Sequence, residues 1–133
     1  MPKNILRTVD ANCNRIGEGL RFLEDIARFN LNNAILSRQL KQMRHTIIKN
    51  VYKLGIQLVS QRNSETDVGA TIKSMTQVQD LSTLVMANAK RAEEGLRVIE
   101  ELAKLPEISP LLNTMIFIRQ GLLSTPWSNS YYP

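Results

Sequence analysis

The sequence predicts an all-α fold, a bundle of about four main helices, and three observations predict it. Strand-like alternation is nearly absent, apolar residues recur every three or four positions over long windows, and one helical stretch is written twice. ANCNRIGEGLRFLEDIARF, Ala11 to Phe29, returns 76 positions later as ANAKRAEEGLRVIEELAKL, Ala87 to Leu105, with nine of nineteen positions identical. A chain of 133 residues can bury about two-thirds of its unfolded surface, so a single domain, 1–133, is expected.

In the first helix Leu6, Val9, Cys13, Ile16, Leu20, Leu23 and Ala27 advance by alternating steps of three and four, which makes one apolar seam. NLNN, Asn30 to Asn33, reads as a helix stop followed by an N-cap. The second helix carries the seam Leu36, Leu40, Met43, Ile47, Val51, Leu54 and Leu58. Gly55 weakens its last turns by about 1 kcal/mol relative to Ala. Gln61 to Gln77 is polar and aperiodic and reads as a long loop, a feature that is uncommon in a compact domain and often functional. The repeat supplies the third helix, from about Leu81 to Lys104, and Pro106 ends it. EISPLLNTMIFIRQG gives a fourth, with Ser109 as N-cap, Pro110 at the first helical position and Gly121 near its end. The tail, 124–133, should be irregular, its Trp127, Tyr131 and Tyr132 folding back onto the bundle or meeting another subunit.

Composition narrows the function classes. The lone Cys13 lies in the apolar seam, so it reads as a small core residue in a reducing compartment, and an intrachain disulfide is excluded. No signal peptide is apparent, nor any apolar run near the ~18 residues of a membrane span, so a cytoplasmic protein is expected. A net charge of +5 and a pI near 9.7 suit anionic partners. Nucleic acid is a weak candidate, because few aromatics are available for stacking and no recognition motif is visible. No phosphate-binding loop, dinucleotide fingerprint, Cys–His metal spacing or nucleophile elbow is present.

At 100 degrees per residue a second stripe runs beside the seam of the repeated helix. It holds Asn12, Arg15, Gly19, Phe22, Ile26 and Phe29, and in the second copy Asn88, Arg91, Gly95, Val98, Leu102 and Leu105. Its apolar half implies that Arg15 and Arg91 lie on otherwise buried faces, where an arginine requires a carboxylate or a phosphate. Gly19 and Gly95 imply close approach of another backbone or of a ligand, since each weakens a helix by about 1 kcal/mol. Two readings follow for Asn12, Arg15, Asn88 and Arg91: a phosphate site, which the planar arginine fork suits, or an internal polar clamp between the two helices. Arg21, Glu24, Arg97 and Glu100 fit a solvated, salt-bridged ladder as well as a site, and Glu18 and Glu94 fall between. His45 reads as a structural or surface residue. In the loop, Asp67 and Gly69 place a carboxylate suited to magnesium beside a backbone that a phosphate could approach, or simply form a turn.

RTVDANCNRIGEGLRFLEDIARFNLN, LKQMRH, QRNSETDVG and MANAKRAEEGLRVIEELAKL, in this order over about residues 6 to 105, resemble a known helical domain. That domain occurs N-terminal to thiamine-phosphate synthase in many bacteria and also alone, as a monofunctional hydroxymethylpyrimidine-phosphate kinase family. The resemblance implies ATP-dependent phosphorylation of 4-amino-5-hydroxymethyl-2-methylpyrimidine phosphate to its diphosphate, with ATP and Mg2+ as cofactors. It implies a phosphorylated pyrimidine and a nucleotide as ligands, a functional link to thiamine-phosphate synthase, and no membrane partner; a homo-oligomer is a further expectation. Asn12, Arg15, Glu18, Arg21, Asn88, Arg91, Glu94 and Arg97 match the helix motifs, and Arg62, Asp67 and Gly69 match the loop. On that basis Arg15 and Arg91 meet phosphates, Glu18, Glu94 and Asp67 serve magnesium or polar orientation, and Asn12 and Asn88 meet the pyrimidine or a phosphate edge. Arg21, Arg97, Arg62 and Gly69 complete substrate binding. The chain departs from the pattern at Asn63, where an aspartate is usual, and in SMTQVQD, which lacks the usual Glu and Arg. A relative that binds the phosphorylated ligand without turning it over is therefore the alternative.

Overall fold

The computed structural model describes residues 3–53 and 80–127. Four α-helices, α1 Lys3–Asp25, α2 Ala34–Lys53, α3 Leu81–Leu102 and α4 Leu112–Leu123, are joined by a π turn at Ile26–Asn30 and a 3-10 turn at Ser109–Leu111. No strand occurs among the described residues. The expected loop 61–77, the seam residues Leu54 and Leu58, and Tyr131 and Tyr132 lie outside them.

The seam of α1 is buried from Val9 to Ala27, as is that of α2 from Leu36 to Val51. Each fully buried Leu or Ile contributes about 1.5–3 kcal/mol. NLNN works as a stop and a cap: Asn32 takes the left-handed φ of 51° that ends the run, and Asn33 Oδ1 accepts from Leu36 N at 3.0 Å. The π turn before it, with Leu31 N donating to Ile26 O at 3.0 Å, has no signal in the sequence pattern. Asp80 caps α3, its side chain accepting from Thr83 N at 2.7 Å, and those hydrogen bonds hold its carboxyl below the ordinary value.

The fourth helix differs from expectation. Ser109 caps nothing; its hydroxyl donates to Pro106 O at 3.0 Å, and the chain passes through the 3-10 turn before α4 begins. Gly121 lies inside α4, where an added Cβ would stand 2.4 Å from Met43 Sδ, so it is a contact glycine against α2. The helix ends because Pro126 excludes a continuing helical backbone just beyond it. Trp127 folds back and packs partly buried against the core.

α1 packs on α2 and α3, and α4 packs on the same two helices, closing a four-helix ring. The internal repeat extends further than the identical residues show. With a spacing of 75, buried Leu36, Leu40, Met43 and Ile47 of α2 correspond to buried Leu111, Met115, Ile118 and Leu122 of α4. The duplicated unit is thus a helical hairpin, α1–α2 repeated as α3–α4. The change of spacing from 76 to 75 falls where the first copy runs through its π turn and the second unwinds after Leu102.

Candidate functional site

The glycines of the repeat set the central crossing. A Cβ on Gly19 would lie 2.7 Å from Asn88 O and 3.3 Å from Ala92 N. A Cβ on Gly95 would lie 2.7 Å from Ile16 Cγ1 and 3.1 Å from Asn12 O. Each glycine therefore receives the backbone of the other helix at its conserved-in-repeat asparagine, and α1 and α3 cross antiparallel about a pseudo-two-fold axis between Ile16 and Ala92.

This close crossing corrects the expected burial of the arginines. Arg15 is exposed, and Arg91 and Glu18 are each more than half exposed at 55% and 56% of the side chain. Phe29 and Val98 of the same stripe are also exposed. Because the glycines let the backbones touch, the interface is only as wide as the seam, and long side chains at its edge reach water. Arg91 Nη1 meets Glu18 Oε2 across the crossing at 3.8 Å, and Asn14 Nδ2 donates to Glu18 Oε1 at 2.8 Å. The equivalent Arg15 instead donates to Asn12 Oδ1 at 3.3 Å, while Glu94 faces Lys90 at 4.0 Å. Asn12 and Asn88 share one role: each amide donates to a carbonyl of the preceding turn, Thr8 O at 2.8 Å and Leu84 O at 2.9 Å. The amide donors expected to read a ligand edge are engaged within their own helices.

Glu24 and Glu100 are not members of a solvated ladder. Glu24 is buried and pairs with Arg44 of α2, Oε2 lying 3.1 Å from Nη2 and 3.2 Å from Nε. Glu100 pairs with Arg119 of α4. Arg44 and Arg119 are equivalent at the spacing of 75, so one interhelical bridge has been duplicated with the hairpin. Glu100 Oε1 is buried without a hydrogen-bond partner among the described residues, which makes the second bridge the less saturated one there. Arg119 escaped the sequence reading, although its alignment with Arg44 in two otherwise dissimilar helices was the available signal.

A groove of about 640 Å³ opens between α3 and α4. Lys90, Arg97 and Arg119 line it together with Glu93, Glu94, Glu100 and Glu101, over an apolar floor of Leu96 and Leu122. It thus collects Glu94 and Arg97 of the expected set, whereas Arg15, Glu18 and Arg91 stay at the crossing and Arg21 is exposed on α1. Lys104 beside Glu101 holds that carboxyl below its ordinary value, with Arg97 adding a smaller effect. Arg62, Asp67 and Gly69 lie outside the described residues. Among the described residues no group of three or more His, Cys, Asp or Glu is placed to hold a metal ion.

The excess positive charge sits elsewhere. α2 has five Lys and Arg and no acidic residue, and the twelve remaining basic residues of the chain are matched by its twelve acidic ones. Arg38, Lys41, His45 and Lys49 line a shallow depression on α2, so His45 belongs to a basic surface row outside both the crossing and the groove. Cys13 is buried as expected, its thiol pushed up to about 12 by burial first and by the charge of Asp10 second. No helix among the described residues is long and apolar enough to cross a membrane.

Residues 7–119, which span the crossing, both bridges and all of the groove but Leu122 and Leu123, match the ThiD2 family. The chain belongs to the ThiD2 family. It is 38% identical over 105 residues to the thiamine-phosphate synthase of Rhodopirellula baltica, covering 77% of this chain and 28% of the relative. It is 38% identical over 106 residues to that of a Synechocystis species, covering 78% and 30%, and 37% identical over 124 residues to that of a Synechococcus species, covering 89% and 33%. This ThiD2 chain spans a third or less of the length of these curated relatives. The family and the relatives' names connect it with thiamine biosynthesis. No solved structure matches it.

Proposed function

We propose that this ThiD2 chain transfers the γ-phosphoryl group of ATP to hydroxymethylpyrimidine phosphate, giving the diphosphate and ADP. The observation that carries the reading is the α3–α4 groove, whose size suits a ligand of this class and whose walls set Arg97 and Lys90 for phosphates beside a row of glutamates, Glu94 among them, over an apolar floor. Phosphoryl transfer asks a protein mainly for positioning and charge neutralisation. A terminal oxygen of the substrate phosphate attacks the γ-phosphorus, and the bond to the β–γ bridging oxygen breaks as ADP leaves. Arg97 and Lys90 neutralise the phosphates, and Leu96 and Leu122 give the pyrimidine ring an apolar surface. Magnesium supplies further neutralisation when bound; it needs only one or two protein carboxylates beside phosphate oxygens, and Glu94 fits that requirement, with Asp67 as the loop candidate. Arg91, beside Glu18, and Arg15 stand at the crossing as the other phosphate-binding candidates.

A second reading is a phospholigand-binding module without turnover. It is favoured by the departures at Asn63 and in SMTQVQD, which take away carboxylates that could serve magnesium. Purified chain incubated with ATP, magnesium and hydroxymethylpyrimidine phosphate decides between them. The kinase reading expects ADP and the diphosphate in equal amounts, with Arg97→Ala and Lys90→Ala abolishing turnover while the helical circular-dichroism signal survives. Thermal stabilisation by the pyrimidine phosphate without ATP consumption would establish the binding module instead.

A further inference from the structure

The two copies of the hairpin hold the same bridge in different states. In the first copy Arg44 and Glu24 are 17% and 11% exposed at the side chain; in the second, Glu100 remains covered at 13% while Arg119 is 50% exposed. The cause is the length of the helix that carries the arginine. α2 runs nine residues past Arg44, to Lys53, and lies along α1. α4 stops at Leu123, one turn past Arg119, because Pro126 occupies the position equivalent to Val51. Among the described residues, the half of α3 that holds Lys90 and Glu94 therefore lacks the cover that α2 gives α1, and the groove is the space beside it.

We infer that this divergence has turned a structural bridge into a ligand-binding one, and that Arg119 binds a phosphate group in the α3–α4 groove, held in place by Glu100. The inference rests on the proposed phosphorylated ligand and adds to it a residue from the fourth helix. Glu100 engages one edge of the guanidinium, and the exposed remainder faces the same groove as Arg97 and Lys90. Arg97, Arg119 and Lys90 share the groove with the carboxylates of Glu93, Glu94, Glu100 and Glu101, so a phosphate is held by the planar guanidinium forks, each able to take two of its oxygens, and not by a net positive charge. Arg44, closed between α2 and α1, has the structural role alone and serves as an internal control.

The test uses inorganic pyrophosphate as probe, read by thermal shift and calorimetry on the full chain, with ATP and hydroxymethylpyrimidine phosphate as parallel arms that identify which phosphate source fills the groove. Arg119→Gln should weaken pyrophosphate binding by the folded protein by about tenfold or more, the loss of a charge-assisted hydrogen-bonded contact, and should also melt lower because the covered Glu100 loses its counter-charge. Arg44→Gln should melt lower for the same reason at Glu24, while the folded protein keeps its affinity. Glu100→Gln should weaken binding only where Arg119 is present, so the Glu100→Gln/Arg119→Gln double variant binds no worse than Arg119→Gln alone. Should Arg119→Gln not fold, Arg119→Lys keeps the charge and removes the fork, and weakened binding by that folded variant carries the same meaning. Parental affinity in the Arg119 variants, or a parent that does not bind pyrophosphate, overturns the inference. Lost affinity with no diphosphate product in the parent upholds the groove and sinks the kinase reading; product formation with affinity unchanged in Arg119→Gln does the opposite.

Discussion

Replacing Gly19 with alanine should destabilise the protein although alanine is the better helix former, and replacing Gly17, two residues away, should stabilise it. Alanine gains about 0.5–1 kcal/mol over glycine in a helix interior at either site. At Gly17 nothing lies within 4 Å of the added Cβ, so the gain is free. At Gly19 the Cβ would meet Asn88 O at 2.7 Å, Ala92 Cβ at 3.2 Å and Ala92 N at 3.3 Å, all atoms of α3 that cannot rotate away. The first contact is about 0.7 Å too short, so α1 and α3 must separate along their seam, and a gap of about 0.5–1 Å forfeits a quarter to a half of each dispersion contact. Overpacking of this kind costs about 1–3 kcal/mol. Net of the propensity gain, Gly19→Ala should lose about 1–2 kcal/mol and melt about 3–8 °C lower, and Gly17→Ala should melt about 2–4 °C higher. Thermal melts followed by far-UV circular dichroism on both variants decide it. A Gly19→Ala protein that melts at or above the parent temperature would refute the close crossing, and with it the geometry from which the exposure of Arg15 and Arg91 follows.

Other consequences separate the buried bridge from the exposed one. Glu24→Gln should cost about 3 kcal/mol because it leaves Arg44 buried without its counter-charge, whereas Glu18→Gln, at the exposed pair with Arg91, should change stability by about 0–1 kcal/mol; urea titrations compare the two. Cys13 should resist alkylation in the folded protein at mildly alkaline pH, reacting at the rate of unfolding; prompt modification would contradict its burial. Because burial pushes the folded thiol up to about 12 from an ordinary value of 9.0, the unfolded chain ionises first, and the stability due to Cys13 is intact below pH 9 and lost as pH rises towards 12. A Cys13→Ala variant should lack that alkaline component of the stability curve. Asp80 works in the opposite direction: its depressed carboxyl stabilises α3 above the ordinary aspartate range and the contribution disappears in acid, so Asp80→Asn should flatten the acid limb of the same curve.

Legibility followed the range of the interaction. The seams of α1, α2 and α3 were readable because a helix places every third or fourth side chain on one face whatever it packs against, and Gly19 and Gly95 were readable as close contacts because a mid-helix glycine needs a reason. The Arg residues of the same stripe were misplaced, whereas Asn12 is buried as its place on the wheel implied. A helical wheel gives direction but no interface width, and the width here depends on how closely two backbones approach. Glu24 and Glu100 looked like members of surface ladders because their partners, Arg44 and Arg119, lie 20 and 19 residues away on other helices. The groove had no linear signal either, since it exists through the unequal lengths of α2 and α4.

The sequence alone therefore determined the helical class, the order of the helices, the duplicated first helix and the glycines at which its copies meet. All of these are local periodicity, capping or backbone freedom, written within a few turns of chain. Only the tertiary structure decided that the repeat is a whole hairpin, that its buried polar bond is an interhelical Glu–Arg bridge, and that one copy of that bridge is closed while the other opens on a groove. Those properties depend on which helix covers which. Pro126 stops α4 through a local clash, but its consequence, an uncovered arginine, appears only when α4 is laid against α3 and compared with α2 on α1.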